Sequence, residues 1–301
     1  MITRQAILFM TSLPLLAGLS ACYPTNDSLQ TQTIIPSTPT VAFTSTPSPI
    51  PTSTITPTST PLTCLTEPGI VKQDVVSTSN PPQEFLIYLP PCYESSANEH
   101  YPVLYLLHGQ TYNQDQWVRL GVPTITDQLI HSGELPPFII VFPDDRFWNL
   151  EAGAGFGDRF ILDVIPYVDI HYQTIADRNH RSLGGLSRGG GWAIQLGFEN
   201  PELFGALGLH SPGIFKGNAP YIEKIIQNIP EESRPRLWLD VGDADSELLS
   251  IHVFEEILTR NDYVHKFHLY AGAHTEEYWG KHVEEYLRWY AQAWQEEPIE
   301  Q

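Results

Sequence analysis

From residue 84 onward the chain alternates short, fully apolar runs with stretches whose apolar residues recur every three or four positions. The runs are Glu84–Leu89, Val103–Leu107, Phe138–Phe142, Ser182–Leu186, Ala206–Leu209, Leu237–Val241 and Phe267–Tyr270. Runs of this length without polar alternation, bounded by Pro, Gly or Asp, read as strands buried on both faces. The helical patterns between them are Thr124–Ser132, Phe160–Tyr172, Gly190–Asn200, Glu247–Arg260 and Tyr278–Gln295. Such alternation predicts an α/β fold, with a mostly parallel central sheet flanked by helices, as one domain over residues 64–301. Ligands bind beyond the carboxyl ends of strands in such sheets. The residues directly after each run are therefore the candidates for chemistry.

One of those strand ends carries Gly185-Leu186-Ser187-Arg188-Gly189, a G-x-S-x-G pattern between an expected strand and an expected helix. A serine in so tight a turn takes strained backbone angles. Side chains two residues before and after it would clash, which requires glycine there. Ser187 is the candidate nucleophile, and a neutral serine needs a base. His274 follows the last run and precedes the last helix, on a loop at the same edge. His252, His265, His268 and His282 fall within or against helices and strands. His210 ends a strand and is read as a pocket residue. The acid lies in Gly242-Asp243-Ala244-Asp245, where either Asp243 or Asp245 can orient an imidazole. Two amides must meet the developing alkoxide. Arg188 follows the serine and supplies one, and Gln110, after His108-Gly109, supplies the other. Trp148, beyond a strand end, is the aromatic residue placed at the substrate.

These motifs resemble the esterase D-like family of α/β-hydrolases, which includes feruloyl esterases, S-formylglutathione hydrolases and mycolyltransferases. The resemblance spans about residues 68–293. It rests on Tyr88-Leu89-Pro90-Pro91, Tyr105-Leu106-Leu107-His108-Gly109, the Gly185–Gly190 turn, Gly242-Asp243-Ala244-Asp245 and Gly272-Ala273-His274. It implies an α/β-hydrolase fold and a Ser187, Asp245 and His274 triad with Gln110 and Arg188 at the oxyanion. It also implies two-step acyl transfer without a cofactor. Arg188 departs from the family, where Met is usual. The expected function is a serine carboxylic-ester hydrolase, acting on feruloyl or acetyl esters of carbohydrates. An acyltransferase of the mycolyltransferase type and a non-catalytic carbohydrate-binding protein of the envelope stand as alternatives. A glycosidase built on Asp144/Asp145 and Asp243/Asp245 is disfavoured, because adjacent acids in turns are usually solvated.

The N-terminal region reads differently. Arg4 precedes an apolar run from Ala6 to Leu19 that contains Pro14, too short for a comfortable membrane span and shaped like an export signal. Leu19-Ser20-Ala21-Cys22 resembles the bacterial lipobox. Residues 1–21 are thus expected to be a signal and Cys22 a lipidated anchor on the cell envelope, with an incidental cysteine after an ordinary signal as the alternative. Residues 22–63, rich in Thr, Ser and Pro, are expected to form an unfolded stalk. In an oxidising compartment Cys64 and Cys92 are expected to form a disulfide. No CxxC or HExxH metal motif occurs. A net charge of −19, with 16 basic against 35 acidic residues, excludes a general nucleic-acid binder and a polybasic grip on lipid.

Overall fold

The computed structural model describes residues 63–95, 97–145, 155–215 and 218–295. Eight strands form one sheet: β1 (Ile70–Val76), β2 (Gln83–Leu89), β3 (Val103–Leu107), β4 (Ile139–Pro143), β5 (Arg181–Leu186), β6 (Ala206–His210), β7 (Arg236–Gly242) and β8 (Lys266–Tyr270). Their order is β1-β2-β4-β3-β5-β6-β7-β8. The first two pairings, β1 with β2 and β2 with β4, are antiparallel, and all the others are parallel.

Side chains alternate across the strands, so the continuous apolar runs feed two cores. Val103, Tyr105 and Leu107 of β3 enter one, and Leu104 and Leu106 enter the other. The first core is covered by α3 (Phe156–Arg159), a π-helical turn (Phe160–Val164), α4 (Ile165–His171), α5 (Arg188–Glu199), α6 (Asn218–Ile226) and α7 (Leu248–Arg260). The second is covered by α1 (Gln116–Arg119), α2 (Val122–His131) and α8 (Glu276–Gln295). Strand β1 and helices α1, α3 and α6 are additional to the elements expected from the sequence. β1 is an exposed edge, with all but Val76 at least partly solvated, so it has no apolar run to betray it. Cys64 and Cys92 are joined in a disulfide, which ties the turn before β1 to the turn after β2.

A buried polar cluster crosses the second core beneath the carboxyl edge of the sheet. Asp240 of β7 is fully buried and accepts four hydrogen bonds. They come from His210 Nδ1 (2.7 Å), Trp238 Nε1 (2.8 Å), Tyr278 Oη (2.8 Å) and Tyr286 Oη (2.9 Å). His210 Nε2 then pairs with Tyr290 Oη at 3.0 Å. Burial, reinforced by the Asp240 charge, pushes all three tyrosine hydroxyls well above the usual phenol range, so they remain protonated. The Tyr290 hydroxyl occupies the space above Gly184 and Gly208, which are register partners in β5 and β6. A side chain at either position would overlap it, which is why glycine interrupts two otherwise apolar strands. A buried carboxylate is tolerable only when its lone pairs are satisfied, and four donors meet that condition.

Candidate active site

The turn between β5 and α5 places Ser187 at the carboxyl edge of the sheet. Ser187 has φ 53° and ψ −119°, a left-handed conformation that a side chain rarely adopts. Three main-chain hydrogen bonds hold it. Its N–H donates to His210 O (3.0 Å), and its carbonyl accepts from Gly191 N (3.0 Å) and Gly213 N (2.7 Å). The glycines at 185 and 189 are steric necessities. A Cβ on Gly185 would overlap the Gly189 main chain, and one on Gly189 would overlap the carbonyls of Leu107 and His108.

His274 arrives on the turn between β8 and α8. Its Nε2 lies 2.8 Å from Ser187 Oγ, and its Nδ1 lies 3.0 Å from both carboxylate oxygens of Asp245. With Nδ1 donating to the carboxylate, Nε2 presents its lone pair to the serine hydroxyl. The Asp245 side chain is fully buried, while His274 retains 24% exposure. Asp245 also accepts from the Glu247 amide at 2.7 Å, so it caps the following turn and orients the imidazole together. Burial alone would raise the Asp245 carboxyl. Hydrogen bonds from His274 and the Glu247 amide, with the imidazole's charge and the Ser211 hydroxyl, outweigh burial and hold it below the usual carboxylate range. Asp243 acts on the main chain instead. Its exposed carboxylate accepts from the Gly272 amide at 3.0 Å and fastens the turn that carries His274. Tyr278 packs beneath that turn, and the edge of Trp279 meets the His274 ring at 4.9 Å.

The loop after β3 closes over the same serine. A Cβ on Gly109 would lie 3.6 Å from Ser187 Cβ, and Gln110, exposed, comes next. Two buried side chains fix this loop. Gln116, with no exposure, accepts from the Gly109 amide at 2.8 Å and donates to Glu276 at 3.1 Å. His108 Nε2 accepts from the Asp145 amide at 2.7 Å, which leaves Nδ1 to donate to Gly109 O at 2.8 Å. Gln116 lies in no motif, and His108, though inside the Tyr105–Gly109 motif, has no role of its own readable from the sequence, because it acts on main-chain atoms. Arg188 begins α5 with its amide at the helix N-terminus, where the peptide dipoles favour negative charge. Its side chain turns away to Asp145, with Nε donating to Oδ2 at 2.9 Å. Trp192 Nε1 donates to the same oxygen at 2.7 Å. The guanidinium lies 5.5 Å from the Trp192 ring centre and 5.6 Å from that of Phe215. Burial raises the Asp145 carboxyl despite these partners.

The structure thus brings Ser187, Asp245, His274, Arg188 and the loop carrying Gln110 to one place. His210 requires correction. Sequence places it at the pocket, but it has no exposure and is sealed between Asp240 and Tyr290, stacked on Tyr286 at 3.7 Å. The end of a strand fixes where a backbone stops, and the side chain here points down into the second core. Trp148 and Cys22 lie outside the described residues. Among the described residues no group of three His, Cys, Asp or Glu side chains is placed to hold a metal ion.

The lowered Asp245 carboxyl has a consequence for stability. A free aspartate titrates near about 3.9, so the contribution of folded Asp245 is complete above that value. It is lost as pH falls through the lower folded value. Urea unfolding across an acid pH series, comparing wild type with Asp245→Asn, should show the wild-type advantage at neutral pH and its decline below about pH 4. An advantage that stays constant down the series would contradict this placement.

Comparison with known proteins bears on the fold and the family. Over 140 residues, 43% of this chain, it is 35% identical to an endo-1,4-beta-xylanase/feruloyl esterase of Xylanibacter ruminicola. The match covers 19% of that relative, so the chain spans less than a fifth of its length. A solved ferulic acid esterase superposes with a TM-score of 0.66 at 24% identity, covering 75% of this chain and 99% of that one. An S-formylglutathione hydrolase of Staphylococcus aureus gives 0.61 at 16% identity, covering 75% and 98%. These likenesses establish the α/β-hydrolase fold. The family model described as "Putative esterase" matches residues 77–296, and with most of the domain inside that match, the chain belongs to this esterase family.

Proposed function

We propose that this chain is a serine carboxylic-ester hydrolase working through Ser187, His274 and Asp245. The carrying observation is the continuous hydrogen-bonded line from Asp245 through His274 Nε2 to Ser187 Oγ. His274 takes the serine proton as Oγ attacks the ester carbonyl. The oxyanion is received by the amides of Gln110 and Arg188, the latter at the N-terminus of α5. His274 then passes its proton to the departing alcohol, leaving the acyl group on Ser187. Water, deprotonated by the same ring, attacks this acyl-enzyme and releases the acid. Asp245 steadies the ring while it is charged.

The substrate reading is a feruloyl or acetyl ester on a carbohydrate. The name of the xylanase/feruloyl esterase relative supports it. So do the half-buried rings of Trp192 and Phe215 beside the elbow, which suit a planar acyl group. Arg188 is already engaged by Asp145, so its charge does not call for an acidic substrate. We place the enzyme on the cell envelope through a lipid on Cys22, with residues 22–63 as a spacer. The lipobox-like Leu19-Ser20-Ala21-Cys22 supports that placement.

Ser187→Ala should reduce turnover of methyl ferulate and p-nitrophenyl acetate by on the order of 10⁵-fold with an unchanged circular dichroism spectrum. Retained turnover would remove Ser187 from the mechanism. Cys22→Ser should shift the protein from the membrane pellet to the supernatant after fractionation of expressing cells. An unchanged pellet fraction would refute the anchor.

A further inference from the structure

Gly109 follows β3 and passes over the serine. A Cβ there would lie 2.9 Å from Leu186 Cδ1 and 3.6 Å from Ser187 Cβ, so the close approach requires glycine. Glycine is also the residue whose backbone is least restricted. The next amide, that of Gln110, is the oxyanion donor of the proposed mechanism, and its aim depends on how the Gly109 backbone is set. A group of this kind must be held within about 0.5 Å of its productive position.

Two side chains put back the restraint that glycine gives up. His108 Nδ1 donates to Gly109 O at 2.8 Å, which fixes the peptide plane between residues 109 and 110. The Gln110 N–H, trans to that carbonyl, faces the other way. Gln116 Oε1 accepts from the Gly109 amide at 2.8 Å, which fixes the preceding plane. Gln116 is fully buried, and its neighbour anchors α1 under the loop: Trp117 Nε1 donates to Leu107 O at 3.0 Å. The other end of the Gln116 carboxamide is used as well. Its Nε2 donates to Glu276 Oε1 at 3.1 Å. Glu276 begins α8, two residues beyond His274, and its carboxylate also accepts from Arg119 at 3.1 and 3.3 Å. One side chain therefore spans the loop that carries the oxyanion amide and the turn that carries the base. The span needs an acceptor toward the Gly109 amide and a donor toward the Glu276 carboxylate, and a carboxamide supplies both.

We propose that Gln116 is a positioning residue for ester hydrolysis: it aims the Gln110 amide at the oxyanion and, through Glu276, keeps that aim in register with His274. This role rests on the reading of Ser187, His274 and Gln110 given above. Gln116 acts through main-chain atoms and through Glu276, without touching the substrate. Its effect falls on the transition state, where the oxyanion forms, so it is read in kcat and not in KM.

The test uses the full chain with p-nitrophenyl acetate. Turnover is expressed per serine titrated by a fluorophosphonate, so that a smaller folded fraction does not register. Gln116→Met keeps the length of the side chain and loses both hydrogen bonds. It should lower kcat by about 10- to 100-fold with KM unchanged. Inhibition by a trifluoromethyl ketone, which forms an oxyanion on the serine, should weaken by a similar factor. Gln116→Glu keeps the acceptor but turns the donor into a second carboxylate facing Glu276, and should be impaired likewise. Gln116→Glu/Glu276→Gln exchanges donor and acceptor and should recover kcat to within about threefold of wild type. Should Gln116→Met or the exchanged pair fail to fold, Gln116→Asn, one methylene too short to reach both partners, carries the test with the same loss of kcat at constant KM. The proposal is overturned if Gln116→Met or Gln116→Glu retains the wild-type kcat, or if KM rises while kcat holds. It is equally overturned if ketone inhibition is undiminished, or if the exchanged pair is as impaired as Gln116→Glu. Ser187→Ala in the same assay separates the two levels. Turnover that survives it removes the hydrolase reading, whereas turnover lost there and intact in Gln116→Met removes only the role of Gln116.

Discussion

The left-handed turn at Ser187 is the constraint around which the carboxyl edge of the sheet is organised. A non-glycine residue at φ 53° costs of order 1–3 kcal/mol unless its surroundings over-determine it. Here they do. The turn is bonded on one side to His210 of β6 and on the other to Gly191 and Gly213. The main chain of Gly189 lies directly against the end of β3. The strain therefore sits on a parallel sheet whose central strands are buried on both faces. It lifts one hydroxyl out of the turn at the start of a twelve-residue helix.

Among the buried carboxylates near this turn, three are held in different ways. Asp240 lies in the second core with four neutral or imidazole donors around it, and through Tyr278 it bears on the turn that carries His274. Asp145 faces Arg188 and Trp192, so the residue after the nucleophile is held by its own side chain while its amide stays at the helix terminus. Asp245 accepts from the Glu247 amide and from His274, the ring that reaches Ser187. The Asp240–His210 line ends on the buried Tyr290 phenol, whereas the Asp245–His274 line ends on a serine hydroxyl at the carboxyl edge, and that distinguishes a structural anchor from a relay for chemistry.

Much of this architecture is legible in the amino-acid sequence, for a physical reason. Parallel strands covered on both faces are mostly apolar, so β3 to β7 stand out in the sequence, while β8, at the far edge, is partly exposed and stands out through Phe267 and Leu269. β1 pairs at the solvated edge and has no such signature. α6 is a nine-residue segment containing Pro220, too short for its periodicity to register. Ser187, Asp245 and His274 are readable because each directly follows a strand at the edge where such sheets bind ligands. His210 follows a strand too and is misplaced by the same rule, since the rule locates a backbone and says nothing of where an imidazole points. Gln116 escapes because no motif contains it, and the motif that contains His108 does not reveal that its ring holds the main chain of Gly109 and Asp145.

The central claim is that Ser187 Oγ is activated by His274 and exposed to an incoming electrophile. The most direct measurement is labelling of the intact protein with a fluorophosphonate, followed by mass-spectrometric mapping of the adduct. The account predicts one phosphonyl group per chain, located on Ser187, with labelling strongly slowed in His274→Ala. An unlabelled protein that is otherwise folded, or an adduct located on any other residue, would contradict it.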